Sequence, residues 1–436
     1  MVKKLVVYSG VLLLAFQVGC SGKATTSNTA DEGQTSVEGY KGGPVELILQ
    51  DNNSGITDDE FKKLFVAGVQ SKYPQISLKL VKGGKIEEMI AAGETPDLVA
   101  VSNPVFYAYE NIDYPQELEA IIKQYKVNLD SIEPVIVNDL RRVSKDQKIY
   151  GLPFGMNVGA MMYNKDLFDV FGVPYPKDGL TWEEHFQLTK QLTRTDSSGA
   201  QYFGSAIPSV SNALKQYGVS SVNAQGLATY TLDGHKTVFS HFEQYFKLPG
   251  FVQGKTISPG TFFSKANVAM NPAWINGIAS SLAKTPPTFQ WGITGFPVFA
   301  KTPDRGNPID FHMLLVNKGS KNKDAAYQVL LAMISEEVQL KSSKNARPTI
   351  LKDLKIKTTY AEDSGVFKGK SLEPIFKVGS VANPYYSPYN DEILGGINSI
   401  RDRIAVEGID INTASREAEE SANKAIRERQ VREAKK

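Results

Sequence analysis

The stretch from Lys148 to Phe168 constrains the fold of this chain more than any other. An apolar, strand-like run is interrupted by Gly151, Pro153, Gly155 and Gly159. It resumes over Ala160 to Tyr163 and passes into the helix-prone Lys165-Asp166-Leu167-Phe168. Glycines inside a strand pattern mark bends or a close approach of backbone to something else. Pro153 has no ladder donor to give, so this is not an ordinary central strand. Taken alone, the pattern fits a bent strand in one large α/β domain. A chain of 436 residues, however, is too long for one core and implies two lobes or domains.

The N-terminus carries its own signal. Lys3 and Lys4 precede a mostly apolar run of roughly 14 residues, too short for a membrane span and typical of a signal peptide, placed at 1–19. Cys20 follows and is the only cysteine, so it has no internal disulfide partner. Gln17-Val18-Gly19-Cys20 resembles a bacterial lipobox, with Gln17 where leucine is usual; the resemblance implies that Cys20 is lipidated. Residues 20–43 are rich in Ser, Thr, Gly and Asn without apolar periodicity, and read as a flexible tether. The net charge of +2 gives no bulk attraction to nucleic acid, and none is expected as a partner.

Beyond the tether, a short apolar strand at Val45 to Leu49 precedes the capping box Thr57-Asp58-Asp59-Glu60 and a helix with Phe61, Leu64, Phe65 and Val69 on one face. A strand around Ile76 to Leu80, a helix at Lys85 to Ala92 closed by Gly93, and a strand at Asp97 to Val101 complete a β-α-β-α-β order. That order implies a parallel sheet with right-handed crossovers. Ligands bind outside the carboxyl ends of such strands, which points to Asp51–Ser54 and Ser102-Asn103. Further on, Thr181-Trp182-Glu183-Glu184 is a second capping box.

Tyr150-Gly151-Leu152-Pro153 and Tyr163-Asn164-Lys165-Asp166-Leu167-Phe168 resemble the crossover of family 1 extracellular solute-binding proteins, the maltose-binding-protein-like receptors of ABC importers. The similarity continues in Phe262-Phe263-Ser264-Lys265-Ala266 through Trp274, in Trp291 to Pro297, and in the final helix. It implies an α/β, two-lobed periplasmic-binding-protein-like fold with a hinged ligand cleft between the lobes. Lobe I is then 44–152 plus 307–344, and lobe II is 153–306 plus 345–436. The resemblance also implies a monomer at the extracytoplasmic face of the membrane, delivering a small solute, sugar or oligosaccharide, to the transmembrane subunits of an ABC permease.

A sugar offers an apolar face to an aromatic platform and hydroxyls to amides, carboxylates and arginine. Trp274 is the candidate platform, because its segment resembles the family's cleft tryptophan. Trp291 is the alternative on the return passage. Phe154 and Asn157 lie in the crossover, and Asn52, Asn53 and Asn103 in first-lobe loops. Arg347 follows the returning helix, and Tyr385 and Tyr386 lie where the family places an aromatic. Adjacent tyrosines are also similar to those of ferric-ion receptors, but no metal or cofactor is expected. The four histidines are far apart in sequence, and His185 reads as structural. The rivals are a membrane-anchored glycoside hydrolase with two carboxylates across the cleft, and a receptor for a peptide or metal chelate.

Overall fold

The computed structural model describes residues 40–207, 209–257 and 260–435. The expected signal peptide, Cys20 and most of the tether lie outside the described residues. Strands β1 (Val45–Asn52), β2 (Ile76–Lys82) and β3 (Leu98–Ser102) are parallel, with β1 central, as the alternation of strand and helix signals implies. Thr57 and Glu60 form the capping box. The helix they open turns π-helical over Phe61–Val66 and buries Leu64, Phe65 and Val69. Strand β4 (Gly151–Asn157) and, from far along the chain, β12 (Asp310–Val316) complete the sheet in the order β2-β1-β3-β12-β4. β12 runs antiparallel to both neighbours, so its amino end lies with the carboxyl ends of the others.

The second sheet has the order β11-β5-β10-β7-β6. It comprises β5 (Gly159–Asn164), β6 (Arg194–Thr195), β7 (Gln201–Ser205), β10 (Val268–Trp274) and β11 (Trp291–Gly295). A separate small hairpin joins β8 (Val252–Gln253) to β9 (Thr256–Ile257). Trp182, behind the second capping box, is a core residue: it is fully buried, packs edge-on against Phe242 and Phe296, and donates its indole N–H to Gln216 at 2.9 Å. His185 is structural as expected. Its two ring nitrogens meet the hydroxyls of Tyr245 (2.8 Å) and Ser205 (3.1 Å), and burial pushes its pKa down to about 3.

A single residue, Val158, separates β4 in the first sheet from β5 in the second. Gly159 lets the return passage come close: a Cβ there would sit 2.0 Å from Oδ1 of Asn307, whose side chain would have to move aside. A third passage runs alongside: Val381 donates to Asn307 O (2.9 Å) and accepts from Ile309 N (2.7 Å). Two expected boundaries therefore move. The first lobe does not end at Leu152, because β4 goes on pairing with β12 through Pro153, Gly155, Met156 and Asn157. Nor does it end at Lys344: Pro348 O accepts from Met156 N, and Ile350 O from Glu133 N. Gln339 fixes this second return by bonding Phe154 O, Thr349 and Ile350.

Candidate ligand-binding cleft

Between the sheets lies a cleft of about 670 Å³. Lobe I reaches it through the carboxyl ends of β1, β2 and β3 and the loops after them, with Asn53, Lys82 and Asn103, and through Asn157, Asp310 and His312 at the same end of the sheet. Lobe II contributes Asn212 and Lys215 from helix Val210–Tyr217, and Trp274, Asn276, Gly277 and Ser280 from the junction of β10 with helix Ile275–Lys284. Asn383 comes from the third passage. A second cavity, of about 800 Å³, lies on the other side of β4, where Met156 and Val158 face it. The first gathers the ends of β1, β2, β3 and β4 on one wall, the place where α/β proteins bind ligands.

The loop after β1 is held rigidly. Both carboxylate oxygens of Asp51 are occupied: Oδ1 accepts from Ser54 N–H and Oγ–H, and Oδ2 from Ile56 N–H at 2.9 Å. This turn puts Asn53 and Gly55 at φ of 66° and 67°, the left-handed region asparagine and glycine tolerate. Asn157 bridges the lobes. Its Oδ1 accepts the N–H of Asn276 (3.1 Å), and its Nδ2 donates to Asp310 Oδ2 (3.2 Å). Burial pushes the Asp310 pKa up, against the pull of the Asn157 bond and the charges of Arg347 and Lys215. Lys215 is pushed the other way by burial, to about 8, against the attraction of Asp310 and Asp139.

Of the residues singled out in the sequence, Asn53, Asn103, Asn157 and Trp274 line the cleft. Trp274 is half-buried on that wall. Asn103 is fully buried, and its amide is spent on Ile309 O, Tyr386 Oη and Phe311 N–H. The other candidates lie elsewhere. Asn52 donates to Tyr109 Oη at 2.6 Å and is not on the wall. Phe154 sits in the core at 5.3 Å from the Phe65 ring: Gly155 pairs with His312 and Pro153 with Met313, so Phe154 is the extra residue of a bulge.

Trp291 pairs with Asn164 at the far end of β5, whereas Trp274 pairs with Gly159 at the near end. Five residues of strand separate them by about 17 Å, and Lys370 covers the Trp291 ring at 4.1 Å. Arg347 is buried behind the wall. It pairs with Glu60, contacts the neutral ring of His312, and donates to Ser54 O at 3.2 Å. Tyr386 is locked to Asp139 (2.7 Å) and Asn383 (2.8 Å), and Tyr385 lies beneath Lys215. Lys215, Asp310, Asn212 and Asn276 carry no motif and were not legible in the sequence. Asp310 follows only once β12 is known to run antiparallel.

Two lobes, three passages between them and a polar cleft at the strand ends are the architecture of a solute receptor. The chain belongs to the bacterial extracellular solute-binding protein family, whose model matches residues 54–340; this places it outside the cytoplasm. Binding proteins of Brucella abortus and Brucella suis are 23% identical over 212 residues, 46% of this chain. The chain spans about half the length of these curated relatives, 50% of each. An ABC substrate-binding protein from Listeria monocytogenes in complex with cycloalternan superposes with a TM-score of 0.71 at 19% identity, over 88% of this chain and 99% of that one. UgpB from Mycobacterium tuberculosis, in complex with glycerophosphocholine, gives 0.70 at 13% identity over 89% and 100%. A Thermotoga lettingae solute-binding protein bound with α-D-tagatose gives 0.68 at 18% over 87% and 99%. At these identities the likeness is one of fold.

Proposed function

We propose that this protein binds a sugar or oligosaccharide in the inter-lobe cleft and hands it to the transmembrane subunits of an ABC importer, while held to the membrane as a monomer by lipid on Cys20. The observation that carries the reading is Trp274: a half-buried tryptophan on the lobe II wall of a cleft that the amide-bearing loops of lobe I also line. An aromatic face and amides are what a ring with an apolar side and a rim of hydroxyls requires. The ligands named for the Listeria and Thermotoga structures are carbohydrates, which supports the class but not a particular sugar. Because each lobe supplies part of the wall, a ligand that touches both stabilises the closed form by its extra affinity for it.

The hydrolase alternative needs two available carboxylates across the cleft. Asp51 and Asp310 are the acids on the wall, and Asp51 already accepts three protein hydrogen bonds. Binding without turnover is the better reading. The test is a thermal-shift screen over mono- and oligosaccharides, peptides and metal chelates, followed by calorimetry and product analysis on the hits. A carbohydrate should bind with a Kd near the micromolar range, about −8 kcal/mol, and be recovered unchanged. Hits confined to peptides or chelates, or release of shortened sugars, would overturn the proposal.

A further inference from the structure

The cleft wall carries charge that the protein itself does not neutralise evenly. Each carboxylate there is served from within: Asp51 by backbone and Ser54, Asp310 by the Asn157 amide with Arg347 behind it. Lys82 is paired with Asp58 at 2.6 Å. Lys215 differs. Among the described residues its ammonium has no hydrogen-bond acceptor and no carboxylate within ion-pair reach, Asp310 and Asp139 acting on it only at longer range. Its Nζ lies over the Tyr385 ring, 5.3 Å from the centroid, which stabilises the cation without offering a counter-ion.

The same wall offers a second positive element. In helix Ile275–Lys284, Ile275 N–H donates to Val158 O and Asn276 N–H to Asn157 Oδ1, while Trp274 at the N-cap supplies no side-chain cap. The next residue, Gly277, lines the cleft, and nothing lies within 4 Å of where its Cβ would be. With two of its N–H groups already bonded, this first turn still carries the positive end of the helix dipole, which favours negative charge beside it. Ser280, one turn on, adds a hydroxyl to the same wall.

Resting on the carbohydrate reading of this cleft, we infer that the natural ligand is an acidic sugar, a polyol bearing one anionic group that Lys215 pairs with against the lobe II wall. A half-buried ammonium with no counter-ion beside it is poorly compensated, and one that gains a charge-assisted bond only on ligand binding gives the ligand its selectivity. Carboxylate and phosphate share this chemistry, so both are tested.

Calorimetry on the full-length receptor compares each neutral sugar with its uronate and its phosphate, for the wild type, Lys215→Met and Lys215→Arg. One anionic series should bind about ten- to a hundredfold tighter than its neutral parents, and the tighter series identifies the anion. That ratio should collapse towards one in Lys215→Met and be largely kept in Lys215→Arg. Neutral sugars binding as tightly as anionic ones, or a ratio unmoved in Lys215→Met, would overturn the inference and leave the carbohydrate reading intact. If no sugar of any series binds, the carbohydrate reading fails and takes the inference with it. A ligand-free readout stands beside these: Lys215→Met should melt no lower than wild type, and a clear fall would mark Lys215 as a structural partner and refute its role as an unpaired site.

Discussion

Replacing Arg347 by methionine separates a brace from a ligand contact. The guanidinium is 5% exposed and holds the carboxylate of Glu60, whose side chain is itself only 13% exposed. It also donates to the carbonyls of Ser54 (3.2 Å) and Gly55 (3.4 Å), and so ties the cleft-edge loop to the first sheet. Methionine fills the stem but leaves a largely buried carboxylate, two carbonyls and the His312 ring without their donor. Breaking one side of such a pair costs about 3–5 kcal/mol. With an unfolding entropy of about 2 cal/mol/K per residue over roughly 400 residues, that is a fall in Tm of about 4–6 °C. Neutralising the abandoned partner as well, in Arg347→Met/Glu60→Gln, should restore part of the loss. Scanning calorimetry gives stability, and titration calorimetry gives affinity in the folded protein. An unchanged Tm with affinity lost would refute the brace and return Arg347 to the ligand site.

Three further outcomes are expected. Trp274→Ala should weaken ligand binding about ten- to a hundredfold through the lost stacking surface, measured by calorimetry; a large drop in Tm with affinity intact would make it a packing residue. All four histidines are buried and held below their ordinary pKa, His185 to about 3, His235 and His241 to about 4, and His312 well below, burial being the leading cause in each. The unfolded chain therefore takes up more protons below pH ~6.5, so stability should fall as pH drops from about 6 towards 4.5, by up to roughly 5 kcal/mol per unit; denaturant titrations at several pH values check the slope. Cys20→Ala should release the protein into the medium, and retention on salt-washed membranes would remove the anchor.

What the sequence disclosed was local or topological. Thr57 with Glu60 and Thr181 with Glu184 form their capping boxes because such boxes need only near neighbours. Asn53, Asn103, Asn157 and Trp274 reach the cleft because the ends of strands do. Phe154 was misplaced for want of a bulge, which depends on a partner strand more than 150 residues away. Trp291 was misplaced because neither its register against β5 nor the Lys370 above it is written near it in the chain. Lys215 was missed because an isolated lysine in a helix reads as solvated surface until its surroundings are known.

The place of β12 in the first sheet bears on how the protein is made. Leu98 of β3 pairs with Val316 of β12, a separation of 316 − 98 = 218 residues, and every strand of the second sheet is synthesised in between. The first sheet cannot close while the nascent chain is short of β12. Loop closure over such distances is slow, so a long interval passes in which the first half of the chain lacks the strand that joins β3 to β4. For a polypeptide that must cross a membrane before it works, that delay keeps the chain threadable until export, and it leaves β3 and β4 with open edges that a chaperone would need to shield.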